Sequence, residues 1–134
     1  MITVLLADDH IMVRDGLRYI LEAAGDIEII ALASNGKEAV TEALKRCPNI
    51  AVIDISMPVM DGIEATKQIL EMCPHTRIVT LSMYHTEEYV KRALRAGAFG
   101  YVLKDAAGNE LVKAVRSLHA GKRYFSRQVA KYDS

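Results

Sequence analysis

Short apolar runs and segments of helical periodicity alternate five times along the 134 residues of this chain, and few architectures satisfy that pattern. Parallel strands joined by helices need crossovers, and short right-handed crossovers place the helices on both faces of one sheet. TVLLA (3–7) is a near-continuous apolar run, as expected of a strand covered on both sides, and Val13, Leu17, Ile20, Leu21 and Ala24 follow at helical spacing. IEIIALA (27–33) reads as a second strand, and Asn35 and Gly36 precede a helix with Ala39, Val40, Ala43 and Leu44 on its apolar face, closed by Pro48. IAVID (50–54) is the third and most apolar strand; the loop ISMPVMDG, punctuated by Pro58 and Gly62, leads to a helix carrying Ile63, Ile69 and Leu70. RIVTLS (77–82) supplies strand four, and Tyr89, Val90, Ala93 and Leu94 mark a fourth helix with Gly97 as its cap. GYVLK (100–104) is strand five, before a helix with Leu111, Val112, Val115 and Leu118 on one face and Gly121 after its end. The expected fold is α/β: a flavodoxin-like, doubly wound, five-stranded parallel sheet of order 2-1-3-4-5 with five helices.

The length suits one compact domain, expected over 1–121, and 122–134 reads as the start of an interdomain linker or a frayed tail with no clear partner. Seventeen basic residues balance seventeen acidic ones, so no global positive field draws the chain to nucleic acid or anionic lipid. Cys47 and Cys73 each precede a proline, and with no secretory leader in MITVLLADDH they are expected to be reduced thiols in a cytoplasmic protein. No apolar stretch approaches membrane-spanning length.

In such sheets, ligands bind at the carboxyl ends of the strands where the strand order reverses, here between strands one and three. Asp8 and Asp9 end strand one and Asp54 ends strand three, so the topology brings three mutually repelling carboxylates to one crevice. An oxygen-only set of this kind suits Mg²⁺, with Mn²⁺ as a substitute. Ser82 ends strand four and Lys104 ends strand five on the same edge. A hydroxyl, an ammonium and a divalent ion together neutralise the oxygens of a transferring phosphoryl group, and Asp54 is the natural nucleophile. Singly, each residue has a plainer use: Asp9 and Asp61 as helix caps, Ser82 bonded to nearby backbone, Lys104 as a solvated lysine. Four of five strands ending in the residue types of one reaction favour the functional reading.

LLADDH with MVRDGL, DISMPVMDGIEA (54–65), TLSMY (80–84) and AGAFGYVLKD (96–105) make the chain resemble a response-regulator receiver domain, CheY-like in fold, of the NarL/FixJ (LuxR-type) branch, from about Thr3 to about Ala120. The resemblance implies that Asp54 takes a phosphoryl group from the phosphohistidine of a sensor histidine kinase. It implies Asp9, Asp54 and the Ser56 backbone carbonyl on Mg²⁺, Asp8 acting through water, and Ser82 and Lys104 on the phosphate. Tyr101 would be the switch aromatic, turning inward as Ser82 moves. Phosphorylation-dependent homodimers, self-dephosphorylation and transcription control follow from the same resemblance. DNA contact is expected only through a C-terminal helix-turn-helix domain that these residues do not include.

Three positions depart from the wider family. Asp105, where many receivers have proline, follows Lys104; Met83 is bulkier than the usual residue after the strand-four hydroxyl; Ser56 and Tyr84 occupy positions that tune phosphoryl lifetime. Two other classes fit less well. A haloacid-dehalogenase-type phosphatase would carry an acidic residue where Ser56 stands, and a flavin-mononucleotide module would not place Asp8 and Asp9 where phosphate must sit.

Overall fold

A computed structural model describes residues 1–133. The five apolar runs become β1 (Ile2–Ala7), β2 (Ile27–Ala33), β3 (Ile50–Asp54), β4 (Arg77–Ser82) and β5 (Gly100–Leu103). Between and after them lie α1 (Ile11–Ala23), α2 (Gly36–Lys45), α3 (Gly62–Met72), α4 (Glu87–Ala96) and α5 (Ala107–His119). Every residue of β3 is buried, as its composition requires of a central strand. Successive β1 side chains alternate between two cores. Leu5 and Ala7 pack with Ala39, Ile69 and Val90 from α2, α3 and α4, whereas Val4 and Leu6 pack with Leu17 and Leu21 of α1 and Leu111 and Leu118 of α5. Helices therefore cover both faces, which is why the strands read as continuous apolar runs and not as alternating ones.

The helix ends follow the sequence. The Asn35 side chain accepts from Glu38 N at 2.8 Å to start α2, and Asp61 accepts from Glu64 N at 2.9 Å to start α3. Gly97 closes α4 with a φ of +109°.

The structure corrects five expectations. The sheet has six strands, not five, in the order β2-β1-β3-β4-β5-β6. The sixth, β6 (Tyr124–Phe125), pairs parallel to Gly100 and Tyr101, and two residues are too few to show periodicity in sequence. Beyond it, a 3-10 stretch (Arg127–Tyr132) buries Val129 completely, so the segment after Gly121 does have a partner. Helical content likewise exceeds the five expected helices, since Lys104 opens a second 3-10 turn (Lys104–Ala106) instead of closing β5. Cys47 and Cys73 form a disulfide, not free thiols: the α2–β3 and α3–β4 turns bring their Cα atoms to 5.7 Å, a proximity that the 26-residue sequence separation hides. Finally, Val13 and Leu44, assigned to apolar helix faces, are 39% and 46% exposed. Among the described residues, no helix is long and apolar enough to cross a membrane.

Candidate functional site

The acidic crevice is built by three strand ends. β1 pairs with β3 so that Ala7 lies beside Ile53, which sets Asp8 next to Asp54 across the sheet. Ligand atoms of Asp8, Asp9, His10 and Asp54 all lie within 4.8 Å of one another. Asp8 is fully buried and Asp54 almost so, while Asp9 stands at the rim with its side chain 30% exposed.

Lys104 reaches into this cluster from the end of β5. Its Nζ donates to Asp54 Oδ2 at 2.7 Å and to Asp8 Oδ1 at 3.2 Å, with Asp8 Oδ2 at 3.1 Å. Only 10% of the lysine side chain remains exposed, so this is a buried ion triad and not a solvated lysine. Burial pushes the Asp54 carboxyl above the usual carboxylate range, and the Asp8 charge adds to the rise against the pull of Lys104 and of Ser56 N. For Lys104, burial works against the ammonium, but the hydrogen bonds and charges of Asp54 and Asp8 outweigh it and leave the group above its ordinary value. Both effects belong to one fact: charges gathered out of water with fewer cations than anions.

The loop after Asp54 is held closely. Ser56 N donates to Asp54 Oδ1 at 3.1 Å, and Gly62 N donates to the Ile55 carbonyl at 3.0 Å. A Cβ at Gly62 would stand 2.2 Å from the Asp54 carbonyl oxygen, so glycine is required for α3 to start against the strand that carries the nucleophile. Val59, in the same loop, has a φ of +70°, a backbone region that β-branched residues avoid.

Ser82 is buried at the end of β4, where Leu81 pairs with Asp54, and its Oγ accepts from Tyr84 N at 2.9 Å. Tyr101 is wholly buried, and its hydroxyl donates to the Tyr84 carbonyl at 2.6 Å, joining β5 to the β4–α4 loop. Burial raises its phenol above the ordinary value. Asp61 caps α3, as its place before Gly62 suggests. Two features escaped the sequence reading. His10 places Nδ1 3.3 Å from both Asp8 Oδ1 and Asp9 Oδ1; the histidine directly after the paired aspartates was the available signal. Ser126, behind β5, donates to Glu110 Oε1 at 2.8 Å and accepts from Leu103 N at 2.9 Å, and nothing in its sequence context marks that position.

A parallel sheet with this order, an acidic pair on β1, a carboxylate on β3 and a lysine at β5 defines a receiver fold. The chain belongs to the response regulator receiver domain family, which matches it over residues 4–116. It is 41% identical over 122 residues to the oxygen regulatory protein NreC of Staphylococcus haemolyticus, covering 90% of this chain and 56% of that protein. A crystal structure of a LuxR-family two-component response regulator from Aurantimonas sp. superposes with a TM-score of 0.92 at 34% identity, covering 97% of this chain and 93% of that one. The isolated receiver domain of RcsB from Salmonella enterica, solved with the phosphomimetic BeF3⁻, gives 0.87 at 28% identity, covering 98% and 97%. The chain thus spans a little over half the length of the curated relative it matches, and receivers as a class are phospho-acceptor switches.

Proposed function

We propose that this chain is the phosphorylation-dependent receiver of a two-component response regulator of the NarL/FixJ branch, with Asp54 as acceptor. The observation that carries the reading is the Lys104 ammonium, 2.7 Å from Asp54 Oδ2 and at the same time on Asp8. A cation already in contact with the nucleophilic oxygen is within reach of the phosphoryl oxygens that arrive there.

The donor set fits a hard divalent ion. Asp9 Oδ1 and Asp8 Oδ2 are buried and lack a hydrogen bond, and all the acidic donors are carboxylates, as Mg²⁺ or Mn²⁺ prefers. Asp8, Asp9, Asp54 and the Ser56 backbone carbonyl would hold the ion, which supplies charge neutralisation at the phosphoryl oxygens. Asp54 attacks phosphorus in line, the bond from phosphorus to the kinase histidine nitrogen breaks, and the acyl phosphate forms on Asp54. Lys104 takes up the transferred charge, and the Ser82 hydroxyl bonds a phosphoryl oxygen once it leaves Tyr84 N. That movement reaches Tyr101 through the β4–α4 loop, to which the tyrosine hydroxyl is bonded, and biases the surface of α4, β5 and α5 toward homodimer formation. Ser56 and Tyr84 flank the acceptor and bear on the rate of self-dephosphorylation.

The wider reading follows the relatives. The sensor histidine kinase is the partner, the location is cytoplasmic, 1–121 is the receiver, to whose sheet the following segment adds β6, and 122–134 leads on to a helix-turn-helix domain through which DNA would be bound. A small acyl phosphate and MgCl₂, followed by intact-mass measurement, test the core of it. The wild type gains one hydroxylamine-labile phosphoryl group and Asp54→Asn gains none; equal labelling of both overturns the assignment.

A further inference from the structure

His10 has no role in the phosphoryl chemistry derived above, yet its ring enters the acidic cluster. Nδ1 lies 3.3 Å from Asp8 Oδ1, 3.3 Å from Asp9 Oδ1 and 3.0 Å from the Lys104 ammonium. Asp9 Oδ1, one of its two carboxylate neighbours, is buried and has no hydrogen-bond partner. An imidazole nitrogen is thus packed among carboxylate oxygens around a spot that already attracts a cation. The His10 side chain is also 60% exposed, so the ring stands at the mouth of the cluster and not in the core.

The separations suit a particular class of ion. Two ligands at about 2.0 to 2.1 Å from a tetrahedral centre stand about 3.3 to 3.4 Å apart, which is the spacing of Nδ1 from each aspartate oxygen. Imidazole is a poor ligand for Mg²⁺ and a good one for borderline transition ions. We propose that His10 is a nitrogen ligand beside the carboxylates that admits nitrogen-preferring divalent ions of the zinc and cobalt type to the phospho-acceptor pocket, where they compete with Mg²⁺. The proposal rests on Asp8, Asp9 and Asp54 being cation ligands, as inferred above.

The consequence is regulatory. A Mg²⁺ site keeps waters that phosphoryl oxygens can replace. A tetrahedral ion that took the three carboxylates and the imidazole, in place of the Ser56 carbonyl, would have all four positions filled by side chains, the arrangement of a closed site. It leaves no position for a phosphoryl oxygen and occupies the nucleophile itself. Nitrogen-preferring ions would therefore block phosphoryl uptake, and His10 would set the sensitivity.

Co²⁺ titrations in non-reducing buffer, with the Cys47–Cys73 disulfide intact, show visible bands that weaken about tenfold or more in apparent affinity in His10→Gln, while His119→Ala titrates as wild type. Co²⁺ affinity indifferent to His10 overturns the role of His10 and leaves the acidic site standing. Absence of any Mn²⁺ or Mg²⁺ binding by calorimetry overturns both.

Discussion

The two ends of the sheet are built on opposite principles. At the amino end, polar groups near the strand starts pair with one another. Thr3 N donates to Asn49 Oδ1 and Asn49 N to Thr3 Oγ1, each at 2.9 Å; Thr76 Oγ1 donates to the Pro48 carbonyl and Arg77 Nη1 to the Leu118 carbonyl, each at 2.6 Å. The Cys47–Cys73 disulfide ties the turns together. At the carboxyl end, two aspartates and a lysine are buried, two carboxylate oxygens lack hydrogen bonds, and Val59 holds a left-handed backbone. One end secures the fold, and the other keeps charge and strain available for a change of state.

Lys104→Met gives the largest expected effect, because it leaves Asp8 and Asp54 buried without their cation. Breaking a buried ion pair from one side costs about 3 to 5 kcal/mol, so urea unfolding of the variant at neutral pH should show a loss of about that size. Added MgCl₂ should restore part of the loss, since a second cation then answers the same carboxylates. A variant as stable as the wild type and indifferent to magnesium would mean that the carboxyl end carries no stored charge.

Reducing the disulfide attacks the other end. With a sequence separation of 26 between the cysteines, loop closure predicts a loss of about 3.5 kcal/mol, measured by unfolding with and without a thiol-free reductant or in Cys47→Ser/Cys73→Ser. Phosphoryl uptake on Asp54 should be unchanged in the folded, reduced protein. A loss of uptake would show that the two ends are mechanically joined and would blur the contrast.

How much of this could be read from sequence follows from range. The five long strands, the Asn35, Asp61 and Gly97 caps and the convergence of Asp8, Asp54 and Lys104 came from periodicity and topology, which are local patterns plus a handedness rule. Reduced cysteines were expected from the lack of a secretory leader, and nothing local marks Cys47 and Cys73 as neighbours; only the packing of α2 against α3 does. β6 is held by Val129 in the core and by Ser126, whose N donates to the Tyr101 carbonyl at 2.9 Å, and a two-residue strand carries no period. Tyr101 alone reads as a half-buried strand tyrosine, whereas it is sealed by residues far along the chain. His10 was visible but unassigned, since its meaning depends on which way the ring turns.

Val59 offers the smallest and most discriminating test. Its side chain is 77% exposed, so replacing it removes little packing, while its φ of +70° is costly for any residue with a Cβ, by about 1 to 2 kcal/mol. Glycine relieves that cost but adds freedom to the unfolded chain worth about 0.5 to 1 kcal/mol. Val59→Gly should therefore stabilise the protein by about 0.5 to 1 kcal/mol, read as a higher urea midpoint at unchanged slope. The same change at an unstrained, exposed position such as Lys67 in α3 should destabilise by a similar amount. A Val59→Gly protein less stable than wild type would show that the loop beside Asp54 is not strained, and the contrast between the two ends would then rest on buried charge alone.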